Sequence, residues 1–394
     1  MSSPLPKSPV LVTGSTGFVG RELTRRLVAS GRPVIALARQ REGWAPVERV
    51  AAAVGLATDG GRLEVIEGDL TLPGCGLQES QWRRLRDSVE TVFHCAGETT
   101  FFPDEMARFR AGHIDGPLGL LEGLAGGRLR RWLHLSTAYV CGRRSGVVLE
   151  REGDVGQRFH NPYEQVKLES ELAIRRAGAQ LGADVRVFRP SVVVGPAPET
   201  AGGQPANLFF GFIRMVAAVA TRSNGLEVPL RIAARPGARF NIVPVEYVTE
   251  AVAALAEHPE GAGQTFHLVV SDAPTQERMA AMIMARLGLT GLSVVDSRYG
   301  GISNASPLER KVARMTAGYR EYLEQDVRFD DATARRLLDR CGVPAPLLST
   351  AAVDRLIDQA LGVPPIVTPQ PEFHPSLNGF GIDSAHPFPT RSVQ

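Results

Sequence analysis

An α/β fold is predicted, a doubly wound parallel sheet followed by a smaller, mostly helical C-terminal region. Three observations carry the prediction. Short apolar strands alternate with amphipathic helical stretches through the first half of the chain; the first strand runs into a glycine turn that opens a helix; and near Gly195 the alternation stops. Strand, helix, strand at this rhythm implies a Rossmann-type sheet with helices on both faces, whose ligands bind beyond the carboxyl ends of the strands.

The elements justify this in order. Val10-Leu11-Val12 leads through Gly14-Ser15-Thr16-Gly17-Phe18-Val19-Gly20 into the helical run from Arg21 to Leu27. Strands follow at Val34–Ala38, Leu63–Ile66, Thr91–His94, Trp132–Leu135 and Val185–Phe188, with helical patterning at Val47–Val54, Trp82–Leu85, Phe109–Leu124 and Tyr163–Gly178. Pro196 to Pro205 reads as a loop. An apolar helix from Leu208 to Ala220 comes next, then strands at Phe240–Val245 and Phe266–Val270 around a helix from Val245 to Ala256. Beyond Pro274 the pattern is helical: 279–287, 308–322, 332–338 and 353–361. This predicts a dinucleotide-binding unit over residues 8–195 plus about 240–272, and a substrate-binding or lid region over about 196–239 and 273–363. The Pro-rich residues 364–394 are expected to be a poorly ordered tail.

Composition narrows the function. The chain has 394 residues, 43% hydrophobic, and a formal net charge of +2, a balance that argues against bulk nucleic-acid or membrane-surface binding. Cys75, Cys95, Cys141 and Cys341 show no metal-ligand or redox spacing, so no metal is expected and a reduced, cytoplasmic setting is. No apolar run approaches transmembrane length, and the N-terminus has no secretory pattern.

The strand ends carry the chemistry. Glycines at 14, 17 and 20 let the backbone turn sharply, and the free N–H groups of the helix's first turn face an anion. Arg39 closes the second strand, where an acidic residue would hold the ribose of NAD; a cation there suits the 2′-phosphate of NADP, and Arg21 nearby is expected to share it. Asp69 and Leu70 follow the third strand, placing a carboxylate near the adenine amino group. Cys95, Ala96 and Gly97 follow the fourth, small residues where the cofactor backbone would pass. His94 and Glu98 flank that loop, more simply as hydrogen-bonding residues than as acids. Tyr163 and Lys167 stand i and i+4 on one helix face, and the adjacent cation is expected to lower the phenol's pKa; both are also expected to bind the cofactor, Lys167 through a hydrogen bond to the nicotinamide ribose. Ser136-Thr137 supplies a hydroxyl at the fifth strand's end for a carbonyl oxygen; alternation leaves open which of the two points inward.

Taken together, Gly14-x-x-Gly17-x-x-Gly20, Ser136-Thr137, Tyr163-x-x-x-Lys167 and Arg189-Pro190-Ser191 resemble the extended short-chain dehydrogenase/reductases. The wording is similar to the branch of fatty acyl-CoA reductases and terminal reductase domains, notably His94-Cys95-Ala96-Gly97-Glu98-Thr99-Thr100-Phe101, Asn161-Pro162-Tyr163 and Asn241-Ile242-Val243-Pro244-Val245. The resemblance spans about residues 9–272. It implies Thr137 as the triad hydroxyl, Tyr163 as proton donor, Lys167 as its partner, and Pro190, Ser191 and Val192 along the nicotinamide carboxamide. His113 departs from the Asn common in relatives, which puts the proton relay's details in question.

The implied function is an NADP(H)-dependent reductase of an acyl thioester, on coenzyme A or an acyl carrier protein acting in trans, giving an aldehyde, with further reduction to the alcohol left open. A ketone or aldehyde reductase with the same triad is the nearest alternative. A sugar-nucleotide epimerase or dehydratase and a non-catalytic NADPH sensor are further ones. The apolar helix 208–220 suits either a lipophilic pocket wall or ordinary core. Oligomeric state is left open, a homodimer among the choices.

Overall fold

The computed structural model describes residues 8–58, 61–195, 208–222, 227–299, 302–317 and 320–363; the expected loop at 196–205 and the tail from 364 lie outside them. Its strands are β1 (Val10–Thr13), β2 (Val34–Ala38), β3 (Leu63–Glu67), β4 (Thr91–His94), β5 (Arg131–Leu135), β6 (Gly146–Val148), β7 (Asp184–Pro190), β8 (Val192–Val194), β9 (Glu227–Ala234), β10 (Ile242–Pro244), β11 (Thr265–Leu268), β12 (Thr290–Asp296) and β13 (Val327–Phe329). The helices are α1 (Phe18–Ala29), α2 (Pro46–Val54), α3 (Glu79–Ser88), α4 (Met106–Arg110), α5 (Gly116–Gly123), α6 (Pro162–Leu181), α7 (Leu208–Arg222), α8 (Val245–Glu257), α9 (Gln276–Leu287), α10 (Pro307–Met315), α11 (Arg320–Glu324), α12 (Ala332–Arg340) and α13 (Thr350–Leu361).

Seven strands form the central sheet in the order β11-β7-β5-β4-β1-β2-β3, and every pairing in it is parallel. Alternation along each strand divides the core in two. Val10 and Val12 face one apolar layer with Leu23, Leu27, Val248 and Leu337, while Leu11 faces another with Leu85, Leu120, Trp132 and Ile174. Strand order reverses between β1 and β4, so the crevice opens beside Gly14, where α/β sheets bind ligands.

Three sequence expectations change. The helix expected over 308–322 ends at Met315, capped by Thr316, and α11 is a separate short helix from Arg320 to Glu324. The helix expected over 109–124 is interrupted by a π turn at Ala111–Asp115. Pro117 has no N–H to offer the carbonyl of His113, which instead accepts from Ser170 Oγ at 2.5 Å. The C-terminal half also holds strands that periodicity concealed: β12 pairs in parallel with β9, and β13 with β6. The apolar helix α7 is core: Phe209, Phe210 and Ile213 pack with Met279, Ile283, Val353 and Ile357 of α9 and α13.

A buried ion pair fixes the β7 edge. Arg189 donates through Nε and Nη2 to both carboxylate oxygens of Glu171 at 3.0 and 2.6 Å, and Nη1 donates to the Glu152 carbonyl at 2.7 Å. Both side chains are nearly inaccessible. Glu171→Ala strands a buried guanidinium, so it is expected to cost about 3–5 kcal/mol. Urea unfolding of the variant measures this; an unchanged midpoint contradicts it.

Candidate dinucleotide and catalytic site

The glycine turn is shaped by contacts that admit no side chain. Gly14 has φ of 77°, and a Cβ on it would lie 2.6 Å from the Ala96 N; one on Gly20 would lie 2.1 Å from the Gly14 carbonyl oxygen. Gly20 therefore lets α1 settle on the turn rather than touching a ligand. Gly17 caps α1 without a side-chain hydrogen bond, which leaves first-turn N–H groups for an anion.

A cavity of about 310 Å³ follows the carboxyl ends of β1 to β4 and is lined by Gly14, Thr16, Gly17, Arg39, Asp69, Leu70, Cys95, Ala96 and Gly97 among others. Ser15 is buried beneath the turn. Phe18 and Val19 begin α1. Arg21 is not where the sequence suggests: its guanidinium lies 5.0 Å over the Phe18 ring, and it does not line the cavity. Arg49, from α2, stands beside Arg39 instead. It donates to the Arg39 carbonyl and to Thr16 Oγ1 at 3.4 Å. Burial, then the charges of Arg41 and Arg39, hold its pKa below the usual guanidinium value. Such crowding of cations favours an anion between them. Spacing gave no hint of Arg49, one arginine among many.

Asp69 accepts from Thr71 N and Oγ1, both at 2.9 Å, and pairs with Arg39 at 3.5 Å. Burial pushes its pKa up, but Thr71 and Arg39 together outweigh that and hold the carboxyl below its ordinary value. Burial drives the Cys95 thiol up to about 12, so Cys95 lines the crevice as a neutral small side chain. His113 lies under Gly97, where a Cβ would meet its ring at 2.8 Å; its Nε2 accepts from Glu98 N at 3.1 Å. Burial pushes it down to about 3, which leaves it neutral.

The catalytic candidates gather at the ends of β5 and β7, outside that cavity. Asn161 Oδ1 caps α6 by accepting from Glu164 N at 3.2 Å, and Pro162 suits the first helical position. Lys167 is buried and its Nζ donates to the Leu135 carbonyl at 2.7 Å, which ties α6 to the residue preceding Ser136-Thr137. Both hydroxyl residues are buried. Thr137 Oγ1 accepts from Tyr139 N at 3.2 Å and so keeps its O–H as a donor. Ser136 Oγ and Ser191 Oγ are buried with no protein partner. Pro190 ends β7 and Val192 begins β8.

The expectation for Tyr163 is overturned. Desolvation, with the charge of Glu164 adding to it, pushes the phenol above its ordinary value. The nearby cation does not reverse this because burial also pushes Lys167 down to about 8. An unfolded lysine keeps its proton to about 10.5, so between about pH 8 and 10.5 the unfolded chain binds more protons than the folded one. Stability contributed by Lys167 therefore rises with pH across that window. The urea midpoint of the wild type is expected to gain on that of Lys167→Met between about pH 8 and pH 10; parallel midpoints contradict the shift.

Fold and crevice together define a dinucleotide-binding protein of the doubly wound α/β class. A family profile described as male sterility protein, an NAD-binding family, matches residues 12–252. The chain belongs to this family.

Among relatives, the chain is 30% identical over 203 residues to peramine synthetase A of Epichloe festucae, covering 48% of this chain and 7% of that protein. It is 25% identical over 282 residues to a carboxylic acid reductase of Segniliparus rugosus, covering 64% and 24%. The chain thus spans a quarter or less of these two relatives. In structure it is similar to the terminal R domain of the myxalamid PKS-NRPS pathway, with a TM-score of 0.71, 21% identity and 91% of each chain covered. It is also similar to UDP-glucuronic acid 4-epimerase of Bacillus cereus, with a TM-score of 0.64, 18% identity, and 90% and 99% covered. Among the described residues no helix is long and apolar enough to cross a membrane.

Proposed function

We propose that the chain is an NADPH-dependent reductase of acyl thioesters. The acyl group arrives on coenzyme A or on a carrier protein, and the product is an aldehyde, reduced in a second round to the alcohol. One observation carries this reading: Lys167 is hydrogen-bonded to the Leu135 carbonyl, which sets Tyr163 on the same helix face and Thr137 at the same strand end. The crevice alongside ends in Arg39, Arg41 and Arg49. The carboxylic acid reductases and peptide synthetases among the relatives support a thioester over a ketone.

The residues present fit the cofactor. The Gly14–Gly20 turn and the first turn of α1 would hold the pyrophosphate, Arg39 and Arg49 the 2′-phosphate, Asp69 and Leu70 the adenine, and Pro190, Ser191 and Val192 the carboxamide. When bound, NADPH supplies the hydride. Thr137 donates to the carbonyl oxygen and holds it as negative charge grows there. Tyr163, whose raised pKa keeps its proton in place, gives that proton to the oxygen, and Lys167 offsets the phenolate left behind. The resulting hemithioacetal breaks its C–S bond to release aldehyde and thiol. Four unpaired thiols support a cytoplasmic setting. Residues 273–331 and 344–363, with α7 and β9, are the proposed substrate region; Ala334, Leu337, Leu338 and Val343 between them join the core of the central sheet.

Incubation with NADPH and a panel of acyl-CoA thioesters, aldehydes and ketones, followed at the nicotinamide absorbance, tests the reading. Thioesters are expected to consume cofactor with release of free thiol. Consumption by ketones alone overturns the thioester assignment, and no net consumption by any of the panel overturns the reductase.

A further inference from the structure

The residue next to the proposed proton donor is tied to the far C-terminal region. Glu164 is fully buried on α6. Its carboxylate accepts from the His160 backbone N at 2.9 Å, from His160 Nδ1 at 3.0 Å, and from the hydroxyl of Tyr322 on α11. The same hydroxyl accepts from Asn161 Nδ2 at 2.7 Å, and Asn161 is the residue that caps α6. One phenol from α11 thus holds both the cap and the first-turn carboxylate of the helix that carries Tyr163.

The ring of Tyr322 is held as firmly. Its centroid lies 4.8 Å from that of His160, 5.1 Å from Tyr139 in an edge contact and 5.5 Å from Phe101. Phe101 in turn lies 6.1 Å from Tyr163. The neighbouring Leu323 carbonyl accepts from Arg235 N at 3.0 Å and from Gln276 Nε2 at 3.1 Å, residues at the end of β9 and the start of α9. Two residues on, Gln325 Nε2 donates to the carbonyls of Gly142 and Arg144 at 2.6 and 2.8 Å. Short α11 is therefore bonded to the substrate region on one side and to the catalytic loop and helix on the other.

We infer that Tyr322 is a positioning residue for Tyr163: through Glu164 and Asn161 it sets the first turn of α6, and through Leu323 it couples that setting to the substrate region. The inference rests on the reading of Tyr163 as the proton donor. A phenol displaced by a fraction of an ångström from a reacting oxygen loses much of its rate advantage, whereas the pyrophosphate and adenosine half of the cofactor, proposed to lie at β1 to β4, is untouched.

Tyr322→Phe keeps the ring contacts and removes the hydroxyl. In the NADPH-bound protein, hydrogen exchange of the amides from 160 to 167 is expected to speed up by about tenfold or more. With a carbonyl substrate, kcat is expected to fall by about tenfold, with KM for NADPH within about twofold of wild type. Glu164→Gln enters the same network from the other side and is expected to give the same split. Unchanged exchange in Tyr322→Phe, or an effect confined to KM for NADPH, overturns the inference. If the wild type turns over no carbonyl compound, the reductase reading fails, and the exchange measurement still decides whether Tyr322 sets α6.

Discussion

Tyr163→Phe is expected to lower kcat by about three orders of magnitude while leaving NADPH affinity within about twofold. The ring's neighbours at centroid distances of 6.1 Å (Phe101) and 6.2 Å (His113) are kept, so the helix and crevice are undisturbed. What is lost is the phenolic proton that the proposed mechanism gives to the substrate oxygen, and general acid catalysis of this kind is worth about 10²–10⁴. Steady-state kinetics with a cofactor titration by fluorescence measures both quantities. A variant with unreduced kcat contradicts the proposed role.

The second large effect concerns cofactor choice. Arg39→Glu combined with Arg49→Ala is expected to lower kcat/KM for NADPH by about 100-fold or more while changing that for NADH by less than about threefold. Each guanidinium lost from a phosphate removes a charge-assisted hydrogen bond worth about 1.5–3 kcal/mol, and 1.4 kcal/mol is tenfold. The introduced carboxylate also repels the phosphate and suits a ribose hydroxyl. Arg49→Ala alone separates it from Arg39, since its place beside Thr16 and the Arg39 carbonyl gives it little to do in NADH binding. Equal losses with both dinucleotides contradict the assignment of these arginines to the 2′-phosphate.

Much of the sheet was legible because its signals are local. Val10-Leu11-Val12, Val34–Ala38 and Thr91–His94 are short apolar runs bounded by turns, and each became a strand of the central sheet. Gly14 and Gly20 were legible as glycines for the same reason, although only the contacts separate their roles: Gly14 makes the turn and Gly20 admits the helix. Features set by distant partners were not. β12 exists because it pairs with β9, more than fifty residues away. Helix α7 is core because α9 and α13 cover it. Arg21 and Arg49 carry the same side chain, and only the placement of α2 decides which of them joins Arg39. The direction of the Tyr163 shift was misread for a similar reason. The i, i+4 spacing reveals the cation but not the burial, which acts on both groups and wins.

Deuteride transfer tests the account most directly. The protein would be supplied with an acyl-CoA and NADPH deuterated at the reactive carbon of the nicotinamide, and the products analysed by mass spectrometry. The account predicts an aldehyde, or the alcohol from its further reduction, carrying deuterium at the former thioester carbon, with one free thiol released per acyl group reduced. Thiol release without deuterium in the product, or deuterium lost only to ketone substrates, would contradict it.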